Sequence, residues 1–187
     1  LSEGFGMYGG YLGEEQFGLP GSAETWLEKT RNEALSVNCG SVNVPESSLS
    51  NPSRIFNWKL TYCKGSLLVH MIRYILEDDS LFHLVLQEYI EEFGNGTSVL
   101  DDFENILEDV SGRDFTTFFD QWYYGEGYPT IAVNWHYSKD TLLIHTLQAT
   151  TSSQTPLFYI PVEYKLVFND GTDTTISIRQ KSNKEKY

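Results

Sequence analysis

Residues 103–133 read FENILEDVSGRDFTTFFDQWYYGEGYPTIAV, and the hydrophobic period changes inside them. Phe103, Ile106, Leu107 and Val110 recur at helical spacing, and Ser111-Gly112 stops the run with a glycine suited to a left-handed C′ position. Asp114 stands where it can cap a second, shorter stripe of Phe115, Phe118, Phe119 and Trp122. After Gly125-Glu126-Gly127-Tyr128-Pro129 the period drops to two, with Ile131, Val133, Trp135 and Tyr137 alternating with polar partners. Helices before this point and strands after it make an α+β chain, divided into 1–127 and 128–187.

Upstream, Tyr62 to Leu76 carries a full apolar stripe (Leu68, Met71, Ile72, Ile75, Leu76), and Phe82, Val85, Leu86, Tyr89, Ile90 and Phe93 repeat it. The polar joint Glu77-Asp78-Asp79-Ser80, with Asp79 or Ser80 as N-cap, should fold the two helices into an antiparallel hairpin. Thr97 or Ser98 is the expected cap of the helix beginning near Phe103. Ala23 to Val37 reads as a surface helix, and Asn38 to Arg54, rich in Ser, Asn and Pro, as an ordered loop. Downstream, Ser138-Lys139-Asp140 is a turn leading to a return strand, Leu142 to Thr150. Phe158 to Phe168 alternates again, and Asn169-Asp170-Gly171 is a hairpin turn into Thr174 to Arg179. Residues 128–187 therefore read as about four antiparallel strands with the aromatics mostly on the inward period, Trp135 being the exception, and ending in a polar tail, KSNKEKY, with no closing strand.

The chain has 187 residues, 13 basic against 26 acidic, for a net charge of −13. Nucleic acid and anionic membrane both need basic footprints, so neither is an expected partner. No stretch approaches a membrane span, and no signal-peptide pattern lies within the segment, which leaves a periplasmic or secreted compartment open. Cys39 and Cys63 form no metal-knuckle spacing and read as two buried free thiols, though pairing stays open. Asn95-Gly96-Thr97 fits a glycosylation sequon and also reads as a helix-linking turn. HExxH, GxSxG, P-loop and Rossmann patterns are all missing. His70, His83, His136 and His145 include no pair at i, i+4, so each reads as structural or exposed.

Three segments in order carry more: SEGFGMY at 2–8, TYCKGSLLVHMIRYIL at 61–76, and the 103–133 stretch with its SGRDFTTFFDQW. Together they resemble the M1 (gluzincin) family of zinc aminopeptidases, the relatives of aminopeptidase N, over essentially the whole chain, thinning after about residue 140. The resemblance implies the helical C-terminal lobe of a thermolysin-like metallopeptidase domain, followed by the start of an antiparallel β-sandwich. It implies that Glu3 of the EGF segment is the third zinc ligand. It makes Tyr62, 59 positions further on, the hydroxyl that stabilises the oxyanion.

Tyr8, Phe56 and Trp58 are candidate walls of the substrate pocket, each also readable as core. Lys64, after Tyr62, reads as structural. Gly9-Gly10 stand where relatives carry polar or bulkier residues, a departure that bears on the pocket floor. The HExxH helix, with its two histidines and general base, is expected to precede residue 1. The chain is thus read as a segment of a peptidase that removes N-terminal residues from peptide substrates by zinc-activated water. Its partner would be the missing N-terminal half of the catalytic domain. Alone, the segment should bind no zinc specifically, lack activity, and tend to self-associate. The alternatives are a non-catalytic peptide-binding or scaffolding relative, and a secreted binding module with exposed strand aromatics.

Overall fold

The computed structural model describes residues 1–187. Its helical part runs α1 (Ser2–Phe17), α2 (Ser22–Leu35), a 3-10 turn (Glu46–Ser48), α3 (Pro52–Ile55), a π-helix (Trp58–Lys64), α4 (Gly65–Leu76), α5 (Asp79–Phe93), α6 (Leu100–Ser111), α7 (Thr116–Phe119) and a second π-helix (Asp120–Tyr124). Strands follow: β1 (Pro129–Ser138), β2 (Thr141–Thr150), β3 (Pro161–Val167), β4 (Asp173–Arg179) and β5 (Lys184–Lys186). All pairings are antiparallel, in one sheet of order β1-β2-β5 and a second of β3-β4. The fold is α+β.

The expected stripes become the core. A cluster of 16 buried residues joins Tyr8 of α1, Leu68 and Ile72 of α4, Phe82 of α5, Phe103 and Leu107 of α6, and the Phe115–Trp122 aromatics. Gly112 ends α6 at φ 66, and Asp114 accepts from the Thr116 N–H at 2.9 Å.

Several local expectations are corrected. Asp78, one residue earlier than expected, caps α5 by accepting from the Leu81 N–H, because Glu77 takes a left-handed conformation (φ 55) and turns the chain there. At α6 neither Thr97 nor Ser98 is the cap. Helix geometry starts after Val99, whose N–H donates to the Asp102 carboxylate at 2.8 Å, while the Ser98 hydroxyl pairs with that of Tyr89. The 38–54 loop contains the 3-10 turn and the start of α3. The helix expected from Tyr62 opens as a π-helix four residues earlier and becomes α-helical only at Gly65.

In the strands, Lys139 and Asp140 both take positive φ, as a two-residue turn between right-twisted strands requires. The supposed polar tail pairs with β2, His145 opposite Lys186, and so forms β5. The third strand begins at Pro161, later than expected, because Phe158 leaves the sheet to fill the helical core beside Trp122, ring centroids 4.4 Å apart. The alternating face of β1 is not covered: Trp135 is 71% exposed, and Val133 and Tyr137 are also exposed. On the same face, Ile144 opposite Trp135 and Thr146 opposite Val133 are buried on β2, so the cover of this face stops short of the edge strand. Cys63 is buried as expected, but Cys39 is exposed, and both thiols are free.

Candidate active site

α1 and the first π-helix pack against each other and carry the two candidate site residues, Glu3 and Tyr62. Glu3 sits half-buried in the first turn of α1, where the unpaired N–H groups favour a negative charge. Tyr62 sits half-buried on the π-helix. α1 crosses this π-helix with Gly4, next to Glu3, against Gly65, three residues after Tyr62. Partial desolvation first, and Glu3 second, hold the Tyr62 pKa above the usual phenol value. At neutral pH Tyr62 is therefore a protonated donor.

The π-helix that carries Tyr62 is held at several points. Asn57 caps it, its side-chain oxygen accepting from the N–H groups of Lys59 (3.1 Å) and Leu60 (3.0 Å). Arg54 donates to the carbonyls of Ser41 and Asn43, each at 2.7 Å, and at 3.5 Å to the Thr61 hydroxyl. Lys64, only 7% exposed, reaches the carbonyls of Gly40 (3.3 Å) and Gly125 (3.5 Å). Burial drives its pKa down to about 8, opposed by the Glu126 carboxylate. Arg54 is likewise depressed by burial, with Glu126 again opposing. A half-buried Arg54 and a buried Lys64 thus tie the π-helix to residues 40–43 and, through Lys64, to Gly125 at the end of the second π-helix.

Of the candidate pocket walls, Phe56 and Trp58 are exposed, and Trp58 stacks on Tyr62 with centroids 5.7 Å apart. Tyr8 lies elsewhere. It is 1% exposed, stacked on Tyr11, with its hydroxyl 3.2 Å from His70 Nδ1, and burial raises its pKa to about 12. It belongs to the core because helical spacing from Glu3 carries it to the opposite face of α1. His70 is spent on Tyr8, and burial lowers its pKa.

No group of three or more His, Cys, Asp or Glu side chains converges as a metal site. Glu3 is a single carboxylate, so the residues present do not by themselves make a zinc centre. Sequence reasoning missed Arg54, Asn57 and Gly4. Arg54 had a signal, being the only basic residue between Arg31 and Lys59. Asn57, just before the Trp58–Lys64 run, had the usual one for a cap.

Comparison with known proteins gives the family. Residues 1–122 match the Peptidase family M1 domain. The chain is 28% identical over 143 residues to the alanine/arginine aminopeptidase of Saccharomyces cerevisiae, covering 75% of this chain and 16% of that protein. It is 32% identical over 108 residues to aminopeptidase N of Lactococcus lactis subsp. lactis, covering 58% and 12%. Aminopeptidase N of Escherichia coli is 29% identical over 119 residues, 59% and 13%. The chain thus spans well under a fifth of the length of these relatives. In fold it is similar to the crystal structure of Legionella pneumophila aminopeptidase A in complex with aspartic acid. The TM-score is 0.69 at 15% identity, over 99% of this chain and 20% of that one. With most of its length matched by the family domain, the chain belongs to peptidase family M1.

Proposed function

We propose that this chain supplies two groups to a zinc-dependent aminopeptidase that removes N-terminal residues from peptides: a metal ligand, Glu3, and an oxyanion donor, Tyr62. The observation that carries the reading is their meeting. Residues 59 positions apart in sequence come to one helix crossing, where Gly4, next to Glu3, packs on Gly65, three residues after Tyr62. Zinc, when bound, supplies Lewis-acid polarisation of the peptide carbonyl. The protonated Tyr62 hydroxyl donates a hydrogen bond to the substrate's carbonyl oxygen as negative charge builds there. Phe56 and Trp58 wall the substrate's side. The two histidines and the general base come from an HExxH segment outside these residues, so the 187 residues alone hold no zinc specifically and do not cleave peptides.

The test is a longer chain that includes the preceding HExxH segment, assayed for bound zinc and for cleavage of aminoacyl-arylamides. Glu3→Ala is expected to lose metal. Tyr62→Phe is expected to keep metal and lose about 100- to 1,000-fold in rate. A longer chain that binds peptides but neither zinc nor turns over would refute the proposal in favour of a non-catalytic, peptide-binding relative.

A further inference from the structure

α1 contains five glycines, Gly4, Gly6, Gly9, Gly10 and Gly13, in a helix of 16 residues. Glycine weakens a helix interior by about 1 kcal/mol relative to alanine, so each needs a reason. For four of them a Cβ would meet nothing within 4 Å. Gly4 is different. A Cβ there would fall 2.5 Å from the Gly65 carbonyl carbon, 2.8 Å from its oxygen and 2.9 Å from its Cα. All three are backbone atoms, so no side-chain rotation relieves the clash. Carbon–carbon contacts settle at about 3.5–4.0 Å, so a methyl at Gly4 must part the two helices by about 1 Å. The reverse substitution is mild: a Cβ on Gly65 meets the Gly4 Cα at 3.3 Å and Val42 Cγ1 at 3.6 Å.

Gly4 follows Glu3 directly, and Gly65 stands three residues after Tyr62, where the π-helix gives way to α4. We propose that the Gly4–Gly65 backbone contact is the spacer that sets the separation of Glu3 and Tyr62, making Gly4 a positioning residue for the site. Neither side can absorb a displacement elsewhere. The π-helix is fixed by Asn57, Arg54 and Lys64. α1 is fixed by Tyr8 and Tyr11, both buried in the core. Any parting of the helices is therefore taken up between the carboxylate and the phenol. A site whose groups must act on one carbonyl tolerates little of this, since about 1 Å of misplacement costs about 100-fold in rate.

The role of Gly4 rests on the function proposed above; the spacing does not. The first measurement uses the 187-residue chain, labelled at Glu and Tyr, and reads the nuclear Overhauser contact between the Glu3 side chain and the Tyr62 ring. Gly4→Ala is expected to abolish it with α1 still helical, and Gly65→Ala to weaken it. Gly9→Ala, in the same helix but facing open space, should leave it intact. Should Gly4→Ala unfold alone, it is placed in a Gly9→Ala/Gly10→Ala background, which strengthens α1 without touching the crossing. In the longer, zinc-loaded chain, Gly4→Ala is expected to lower kcat about 100-fold with KM and zinc content near wild type. Wild-type contact intensity in both Gly4→Ala and Gly65→Ala overturns the proposal, as does unchanged kcat. Failure of the functional reading shows in the wild type, whereas failure of the spacer shows only in the variants.

Discussion

Lys64 offers a test that reads the interior directly. Its ammonium is buried against two carbonyls at 3.3 and 3.5 Å, long for charge-assisted bonds, and burial takes its pKa from 10.5 to about 8. Between those two values the unfolded chain holds a proton that the folded chain has shed. Stability contributed by this group therefore rises with pH across that window and is lowest, and flat, below it. At about 1.4 kcal/mol per pKa unit, the whole rise is about 3 kcal/mol. Cys63, raised by burial to about 11, opposes the rise above pH 9, because its thiol ionises more readily once unfolded. The gap between wild type and Lys64→Met cancels that common contribution. Urea unfolding followed by far-UV circular dichroism from pH 7 to 10.5 measures the gap. Wild type is expected to gain about 3 kcal/mol on the variant over this range. A constant gap would refute the reasoning, by showing that Lys64 titrates normally. A gap that moves the other way would mean that Glu126 outweighs burial and acts as a true ion-pair partner.

Gln148→Leu is expected to destabilise by about 1–3 kcal/mol for each bond lost, because its buried amide accepts from the Phe158 N–H at 2.7 Å and donates to the Phe158 carbonyl at 3.1 Å. Thermal unfolding checks this, and a melting temperature within a degree of wild type would contradict it. Thiol titration with a disulfide reagent is expected to give one fast equivalent, Cys39, with Cys63 reacting only on denaturation, since it is fully buried and its pKa is raised to about 11. Two fast equivalents would show that the Trp58–Lys64 π-helix opens readily.

Much of the helical architecture could be read from residue order, because a buried helix face must repeat its apolar residues every three or four positions. Leu68, Ile72, Phe103, Leu107, Phe118 and Phe119 all follow that rule and all reach the core. The π-helix at Trp58–Lys64 could not be read this way. Its i→i+5 bonds leave the apolar spacing looking α-helical, and the carbonyls that hold Arg54 and Lys64 beside it are distant in sequence. In β1, alternation identified one face of the strand but not whether anything covers it, and Val133 and Tyr137 proved exposed along with Trp135. At the site, Glu3 and Tyr62 stood out through family resemblance alone. Their adjacency depends on a glycine contact that no periodic pattern distinguishes from the other glycines of α1.

Phe158 has a consequence for how the chain is made. It is fully buried in the helical core against Trp122, although it lies beyond β2 in the sequence. Synthesis delivers the helices first, yet their core lacks this ring until the first hairpin has also emerged from the ribosome. The helical lobe must wait, one aromatic short, with Trp122 uncovered. Its last packing step is therefore tied to the birth of the strands, and a pause in translation between Gly127 and Phe158 would hold the nascent chain in its stickiest state.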